Sequence, residues 1–180
     1  MSADAPTQPL IRRAMTSDLP RLGRLGALLV EAHHELDSQR FLAPNDRTSA
    51  NYASFLKTKL EDPDAAILVA EAHGDVIGYA YAAVQGYDYM SLRGPAGVLH
   101  DLIVDPGHRG RGVGRLLVNA VLAYLKARGA PRVVLSSAEG NQAAQRLFVS
   151  MGFRRTMVEM TRELEETTRG REGGSGGAEG

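Results

Sequence analysis

Residues 102–128 carry the feature that most constrains this chain. An apolar run, Leu102-Ile103-Val104, stops at Asp105-Pro106-Gly107, passes through glycines at alternate positions 110, 112 and 114, and continues as a helical stripe. In the stripe Val113, Leu116, Leu117, Ala120, Val121, Tyr124 and Leu125 recur at helical spacing. A buried strand that turns through glycines straight into a helix is the joint of a mixed α/β sheet. It is also an anion seat. The first N–H groups of a helix have no internal acceptor, and the helix dipole is positive there. Gly110, Gly112 and Gly114 remove the side chains that would hold an anion off, and Arg109, Arg111 and Arg115 add mobile positive charge. A diphosphate suits such a turn. The plainer alternative, a glycine-rich turn with solvated arginines, would lead for a lone Gly-x-Gly, but three alternate glycines framed by a buried strand and an amphipathic helix put it behind.

Other segments supply the rest of a single domain. Residues 10–14 read as a first strand. Ser17 or Asp18 can cap a helix that tolerates Pro20 in its first turn and sets Leu22, Leu25, Gly26, Leu29 and Leu36 at helical spacing. A polar break over 37–47 precedes a second helix with Tyr52, Phe55, Leu56 and Leu60 on one face, ended by Asp62-Pro63-Asp64. Residues 67–72 and 76–84 read as a hairpin around His73-Gly74-Asp75. Strands follow at 98–105 and 132–136, and a helix opens at Asn141 and stops at Gly152. A last strand is expected within 153–164. The expected fold is thus α/β, with a central mixed sheet covered by helices. Residues 1–9 are expected to be a flexible start and 165–180 a disordered tail, since six of the last eleven residues are glycine.

Composition narrows the function classes. The 21 Lys and Arg balance 21 Asp and Glu, so no net charge draws the chain toward nucleic acid or an anionic membrane. There is no cysteine, which excludes disulfides, thiolate zinc sites and a cysteine nucleophile. No apolar run approaches membrane-spanning length, and the start of the chain lacks a leader pattern, so a cytoplasmic location is expected. His33-His34-Glu35-Leu36-Asp37 places His33 and Asp37 one helical turn apart, but a polar helix end explains them better than a metal site, and no metal is expected.

The glycine turn lacks the Gly-Lys-Ser/Thr of a P-loop, and its spacing departs from the dinucleotide fingerprint G-x-G-x-x-G. Instead Arg109-Gly110-Arg111-Gly112-Val113-Gly114 resembles the Arg/Gln-x-x-Gly-x-Gly/Ala signature of the GCN5-related N-acetyltransferase (GNAT) family. Val104-Asp105-Pro106 before it, and Asn141, Ala144, Phe148 and Gly152-Phe153 after it, are similar to the family's pattern in order and separation. The resemblance covers residues 10–164. It implies a largely antiparallel mixed sheet with one splayed strand pair and about four helices. It implies acetyl-CoA as cosubstrate, with Ile103 and Val104 pairing with the pantetheine arm. Arg109, Gly110, Arg111, Gly112, Val113, Gly114 and Arg115 would hold the diphosphate, Asn141 would contact the coenzyme, and Phe148 would lie beside the sulfur. It also implies that His33, Glu35 and Asp37 flank the acceptor amine. Tyr79 and Tyr81 can do so too, although their alternation equally suits sheet packing. A homodimer is compatible with the family.

Acyl transfer to an amine needs a free nitrogen lone pair, yet only about one lysine-like amine in 10³ is neutral at pH 7. His100 and Asp101, on the strand that would deliver the thioester, are the candidate groups to take or hold the proton. Strand alternation predicts that they face opposite sides, so that one of them enters the acceptor cleft. Where relatives usually carry a tyrosine that protonates the leaving sulfur, this chain has Phe148. The expected function is an N-acetyltransferase acting on a primary amine. A non-catalytic acyl-CoA-binding domain and a nucleotide-binding α/β domain are the alternatives.

Overall fold

The computed structural model describes residues 8–164. Five strands, β1 (Leu10–Arg13), β2 (Ala65–Ala72), β3 (Asp75–Gln85), β4 (Ala96–Val104) and β5 (Val133–Leu135), lie side by side in chain order. Every neighbouring pair is antiparallel except β4 and β5, which run parallel. The helices are α1 (Leu19–Leu36), α2 (Thr48–Leu60), α3 (Val113–Ala127) and α4 (Gln142–Ser150).

β2 and β3 read as continuous apolar runs because both their faces are covered. Ala65, Ile67, Val69, Tyr79 and Tyr81 turn toward Leu22 and Leu25 of α1 and Leu56 of α2. Ala66, Leu68, Ala70, Ala80 and Ala82 turn the other way, onto Val113, Leu117, Val121 and Leu125 of α3. The α3 stripe read from the sequence is therefore the seam of one layer: its Leu117, Val121 and Leu125 have no exposed surface, nor does Val118 beside them.

α1 and α2 touch each other as closely as backbones allow. A Cβ on Gly23 would stand 2.4 Å from the Ser49 carbonyl oxygen, and one on Gly26 would stand 2.1 Å from the Tyr52 ring. These two glycines let α2 lie directly on α1, and Tyr52 lies flat on the bare backbone at Gly26.

Two expectations are corrected here. Asp18 does not cap α1 with its side chain. Its carboxylate accepts the Met15 N–H at 2.7 Å and is gripped by Arg12 at 2.8 and 3.0 Å, while Arg12 also reaches Glu71 at 2.7 Å. Charge pairing to the first strand outcompetes helix capping. Residues 153–164 form no strand. Met157, Val158 and Met160 put apolar groups on both faces of an alternating segment, so neither face selects a core side, and all three are exposed. The segment is held instead by the side-chain pairs Arg155–Gln145 and Arg40–Glu159. Expectations for residues 1–7 and 165–180 lie outside the described residues.

Candidate active site

The turn between β4 and α3 has the geometry its sequence demands. Gly112 caps α3 with φ of +81°, and Gly110 has φ of +75°, values in the left-handed region that side-chain-bearing residues disfavour. A Cβ at either would meet nothing within 4 Å, so the space above the turn is open. Gly114 differs: its Cβ would press on Leu147 of α4 at 3.3 Å, so this glycine serves the α3–α4 packing. Of the three arginines, Arg109 folds back so that Nε donates to the Val104 carbonyl at 3.0 Å, and Arg115 donates to Ser150 at 2.7 Å. Arg111 is exposed at the turn. Behind the turn Asp105 accepts Gly107 N–H at 3.0 Å and pairs with Arg21 at 2.7 Å. That pairing holds the Asp105 carboxyl below its ordinary value and ties the turn to α1.

β4 and β5 pair over three rungs, Gly97↔Val133, Val98↔Val134 and Leu99↔Leu135, and then part. Beyond Leu99, one edge of β4, including Ile103 and Val104, faces this opening. Just past β5 the Ser137 hydroxyl is buried with no hydrogen-bond partner among the described residues. Open backbone along β4, an orphan hydroxyl across from it, and unpaired amides at the Gly110–Gly114 turn suit an extended amide-bearing arm ending in a diphosphate.

His100 lies where β4 meets β3, and a β-bulge changes its direction. Asp101 pairs with Tyr81 and Leu99 with Ala82, leaving His100 as the extra residue. Two residues of the bulged strand oppose one step of its partner. His100 and Asp101 therefore both face the α1–α2 side, and the expectation of opposite faces is corrected. They line one open pocket of about 580 Å³ with Tyr52, Phe55 and Lys59 of α2, Asp62 of the following loop, and Tyr81 of β3.

The two groups differ in surroundings. Asp101 Oδ2 accepts the hydroxyls of Tyr52 at 2.7 Å and Tyr79 at 3.1 Å. Burial pushes its pKa up, against the pull of those two donors and of His100 and His33. Burial and the neighbouring carboxylate also raise both tyrosines, so they remain protonated donors. His100 stacks on Tyr81 with ring centroids 4.7 Å apart, and its Nε2 lies 3.4 Å from the Gln85 amide. Lost hydration, with Lys59 and Arg93 nearby, lowers its pKa although Asp101 opposes them. Both effects favour the neutral imidazole, the form able to accept a proton.

Other expected site residues fall elsewhere. Tyr79 has no exposed surface and meets the pocket only through Asp101. His33 hydrogen-bonds the Leu29 carbonyl at 2.8 Å and packs on Phe41. Asp37 accepts the Gln39 and Arg40 N–H groups at 3.1 Å, closing the turn after α1, and Glu35 is exposed. None of these three residues lines the pocket. Asn141 caps α4, accepting Ala144 N–H at 3.1 Å. Phe148 is 8% exposed and packs edge-on against Phe153 at 5.7 Å within the α3 core. The sequence reading missed Tyr52, Phe55, Lys59, Asp62 and Gln85. Tyr52 and Phe55 were legible only as the apolar face of a helix. Among the described residues, no group of three or more His, Cys, Asp or Glu is placed to hold a metal ion, and no helix is long and apolar enough to cross a membrane.

A glycine-rich strand-to-helix turn, a splayed parallel strand pair and a pocket lined by His100 and Asp101 define the class of this mixed α/β fold. Residues 29–153 match the acetyltransferase (GNAT) family. A mycothiol acetyltransferase of Thermobispora bispora is 34% identical over 83% of this chain and 54% of its own. The chain thus spans about half the length of that curated relative. Among solved structures, a tetramutant of a Bacillus halodurans protein superposes with a TM-score of 0.76 at 24% identity, over 86% of this chain and 99% of its own. A predicted acetyltransferase from Clostridium acetobutylicum, solved with acetyl-CoA, superposes with a TM-score of 0.68 at 17% identity, over 87% of this chain and 96% of its own. The chain belongs to the acetyltransferase (GNAT) family.

Proposed function

We propose that the protein transfers the acetyl group of acetyl-CoA to a primary amine by direct attack. The observation that carries this reading is the bulge at His100, which sets a carboxyl group and an imidazole on one wall of one pocket beside the splayed edge of β4. Acetyl-CoA would supply the activated acyl group. Its diphosphate would meet the amides around Gly110, Gly112 and Gly114 with Arg111, and its arm would run along Ile103 and Val104. The likeness to a fold solved with acetyl-CoA and to a mycothiol acetyltransferase supports the reaction class.

In this reading Asp101 holds the incoming ammonium, because the buried carboxylate lacks a cation of its own and gains most from one. His100 takes the proton, since its depressed pKa favours the unprotonated ring and its place at the pocket mouth passes the proton to solvent. The free amine then forms the N–C bond, the C–S bond breaks, the nitrogen sheds its second proton to water, and the departing thiolate takes a proton from water. Phe148 has no hydroxyl to give. A free thiol of pKa about 8.5 is a fair leaving group, so an acid is helpful and not obligatory.

Thiol release from acetyl-CoA, measured with a panel of monoamines, diamines and amino acids, tests the proposal. Amine-dependent release is expected. Phe148, buried in the core where relatives usually carry a tyrosine, favours one second reading, a domain that binds acyl-CoA without turning it over. Coenzyme A binding by calorimetry without thiol release under any amine would establish that reading and overturn the first.

A further inference from the structure

We infer that Tyr52, seated on the bare backbone of Gly26, is a positioning residue that fixes the orientation and ionisation of Asp101. The inference rests on the reading of Asp101 as the group that holds the amine. Three observations carry it. Tyr52 reaches across from α2 to donate its hydroxyl to Asp101 Oδ2 at 2.7 Å, the shorter of that oxygen's two bonds. Its ring has one place to lie: Gly26 of α1 offers no side chain, and a Cβ there would stand 2.1, 2.4 and 2.7 Å from the ring atoms Cδ1, Cγ and Cε1. Finally, the ring begins an aromatic chain around the pocket. Tyr52 meets Phe55 at 5.8 Å, Phe55 meets Tyr81 at 6.0 Å, and Tyr81 stacks on His100. The crossing of α1 and α2, far from the diphosphate turn, thereby sets both members of the proposed amine site.

The chemistry gives this a direction. A donor to a carboxylate stabilises its charged form, and burial works against that form. Tyr52 and Tyr79 both donate to Oδ2, so without Tyr52 that oxygen keeps only the longer bond, to Tyr79. Other charged or titratable groups facing Asp101 and its pocket are His33 of α1, His100 of β4, Tyr81 of β3, Lys59 of α2, and Asp62 and Asp64 of the loop after it. None of these donates a hydrogen bond to Asp101. Removing the Tyr52 hydroxyl leaves burial less opposed, so the carboxyl pKa must rise.

The experiment compares wild type with Tyr52→Phe, Gly26→Ala and, as a control on the same helix, Phe55→Leu. The carboxyl carbon of Asp101 is titrated by 13C NMR in the ligand-free protein, and kcat/KM for the best amine is measured against pH. For Tyr52→Phe the Asp101 titration and the acidic limb of kcat/KM are expected to move up together by about one pH unit, the size of one hydrogen bond to a charged group. The melting temperature should stay near that of wild type, because the ring still fills its seat. Gly26→Ala is expected to shift the limb the same way by dislodging the ring, and Phe55→Leu to leave the Asp101 titration in place. An unmoved Asp101 titration in Tyr52→Phe overturns the inference, whatever the activity. A shifted titration with no amine-dependent activity in wild type would instead sink the functional reading and leave the Tyr52–Asp101 coupling standing.

Discussion

Asp101 shows most plainly how one residue carries opposed demands. Its carboxylate is sunk among tyrosines where a neutral group would be more stable, and burial raises its pKa accordingly. A raised folded-state pKa means that the folded protein binds the proton more tightly than the unfolded chain. The stability so gained is complete below the ordinary carboxylate range and is lost as pH rises through the raised value. Asn at this position keeps an oxygen for the tyrosine hydroxyls and never ionises. Asp101→Asn is therefore expected to gain melting temperature relative to wild type as pH goes from 4 to 8, while the KM for amine rises about tenfold, the cost of one charge-assisted contact. Acetyl-CoA affinity by calorimetry should change less than twofold. A parallel melting profile for the two proteins would show that the carboxylate is not strained. At the neighbouring position, His100→Ala should lower kcat about a hundredfold, the low end of general-base effects, with little change in amine KM. Equal losses in kcat for both variants, with KM untouched, would contradict the division of roles between them.

At the scale of elements, most of the structure was legible because its signals are local. Val113 to Leu125 announced α3 by period, Asn141 announced α4 by capping, and Gly112, Gly129 and Gly152 stand where the chain takes positive φ at helix ends. The misses at the pocket and the end of the chain share one physical cause: each depends on a partner distant in sequence. The bulge at His100 exists only in the register of β4 against β3, and no pattern within 96–104 reveals the extra residue. Tyr52 looked like any apolar helix position until Gly26 and Asp101 were brought to it from 26 residues before and 49 after. The segment 153–164 has strand-like composition, but no neighbouring edge pairs with it. The glycine turn between β4 and α3, by contrast, is a local device, and its prediction is local too. Gly112→Ala forces a side chain into φ of +81° at an N-cap with open space around it, so the cost is in the backbone, about 1–2 kcal/mol. Relief of that strain by rotating the first amides of α3 away from the anion should weaken coenzyme A binding about tenfold by calorimetry, while the amine pocket, on the other face of the sheet, keeps its Asp101 titration. Unchanged affinity would mean that the first-turn amides do not hold the diphosphate.

Taken whole, the molecule is a sheet with a different task on each face. The α3 face is sealed by aliphatic side chains and anchors the turn. The α1–α2 face is half core and half pocket, and its helices are tied to the sheet by charge as well as by packing. Arg12 of β1 bridges Asp18, at the entry to α1, and Glu71 of β2. Arg21 of α1 bridges Asp105 behind the turn. The two pairs fasten the helix whose glycines seat Tyr52, so the pocket depends on them indirectly. Asp18 and Asp105 both have pKa values lowered chiefly by their arginine hydrogen bonds. For a lowered folded-state pKa the sign reverses: stability is present above the ordinary carboxylate value near 3.9 and is lost as pH falls through the lowered one. Between pH 5 and pH 2 the wild-type protein should therefore lose stability steeply in urea titrations. Asp18→Asn should be less stable than wild type at pH 7 by about 2 kcal/mol, the worth of a hydrogen-bonded charge whose partner Arg12 still keeps Glu71. The same variant should lose less than wild type on acidification, so the two curves converge toward pH 2. Curves that stay parallel down to pH 2 would place the acid sensitivity elsewhere and remove Arg12 and Asp18 from the account of how α1 is held.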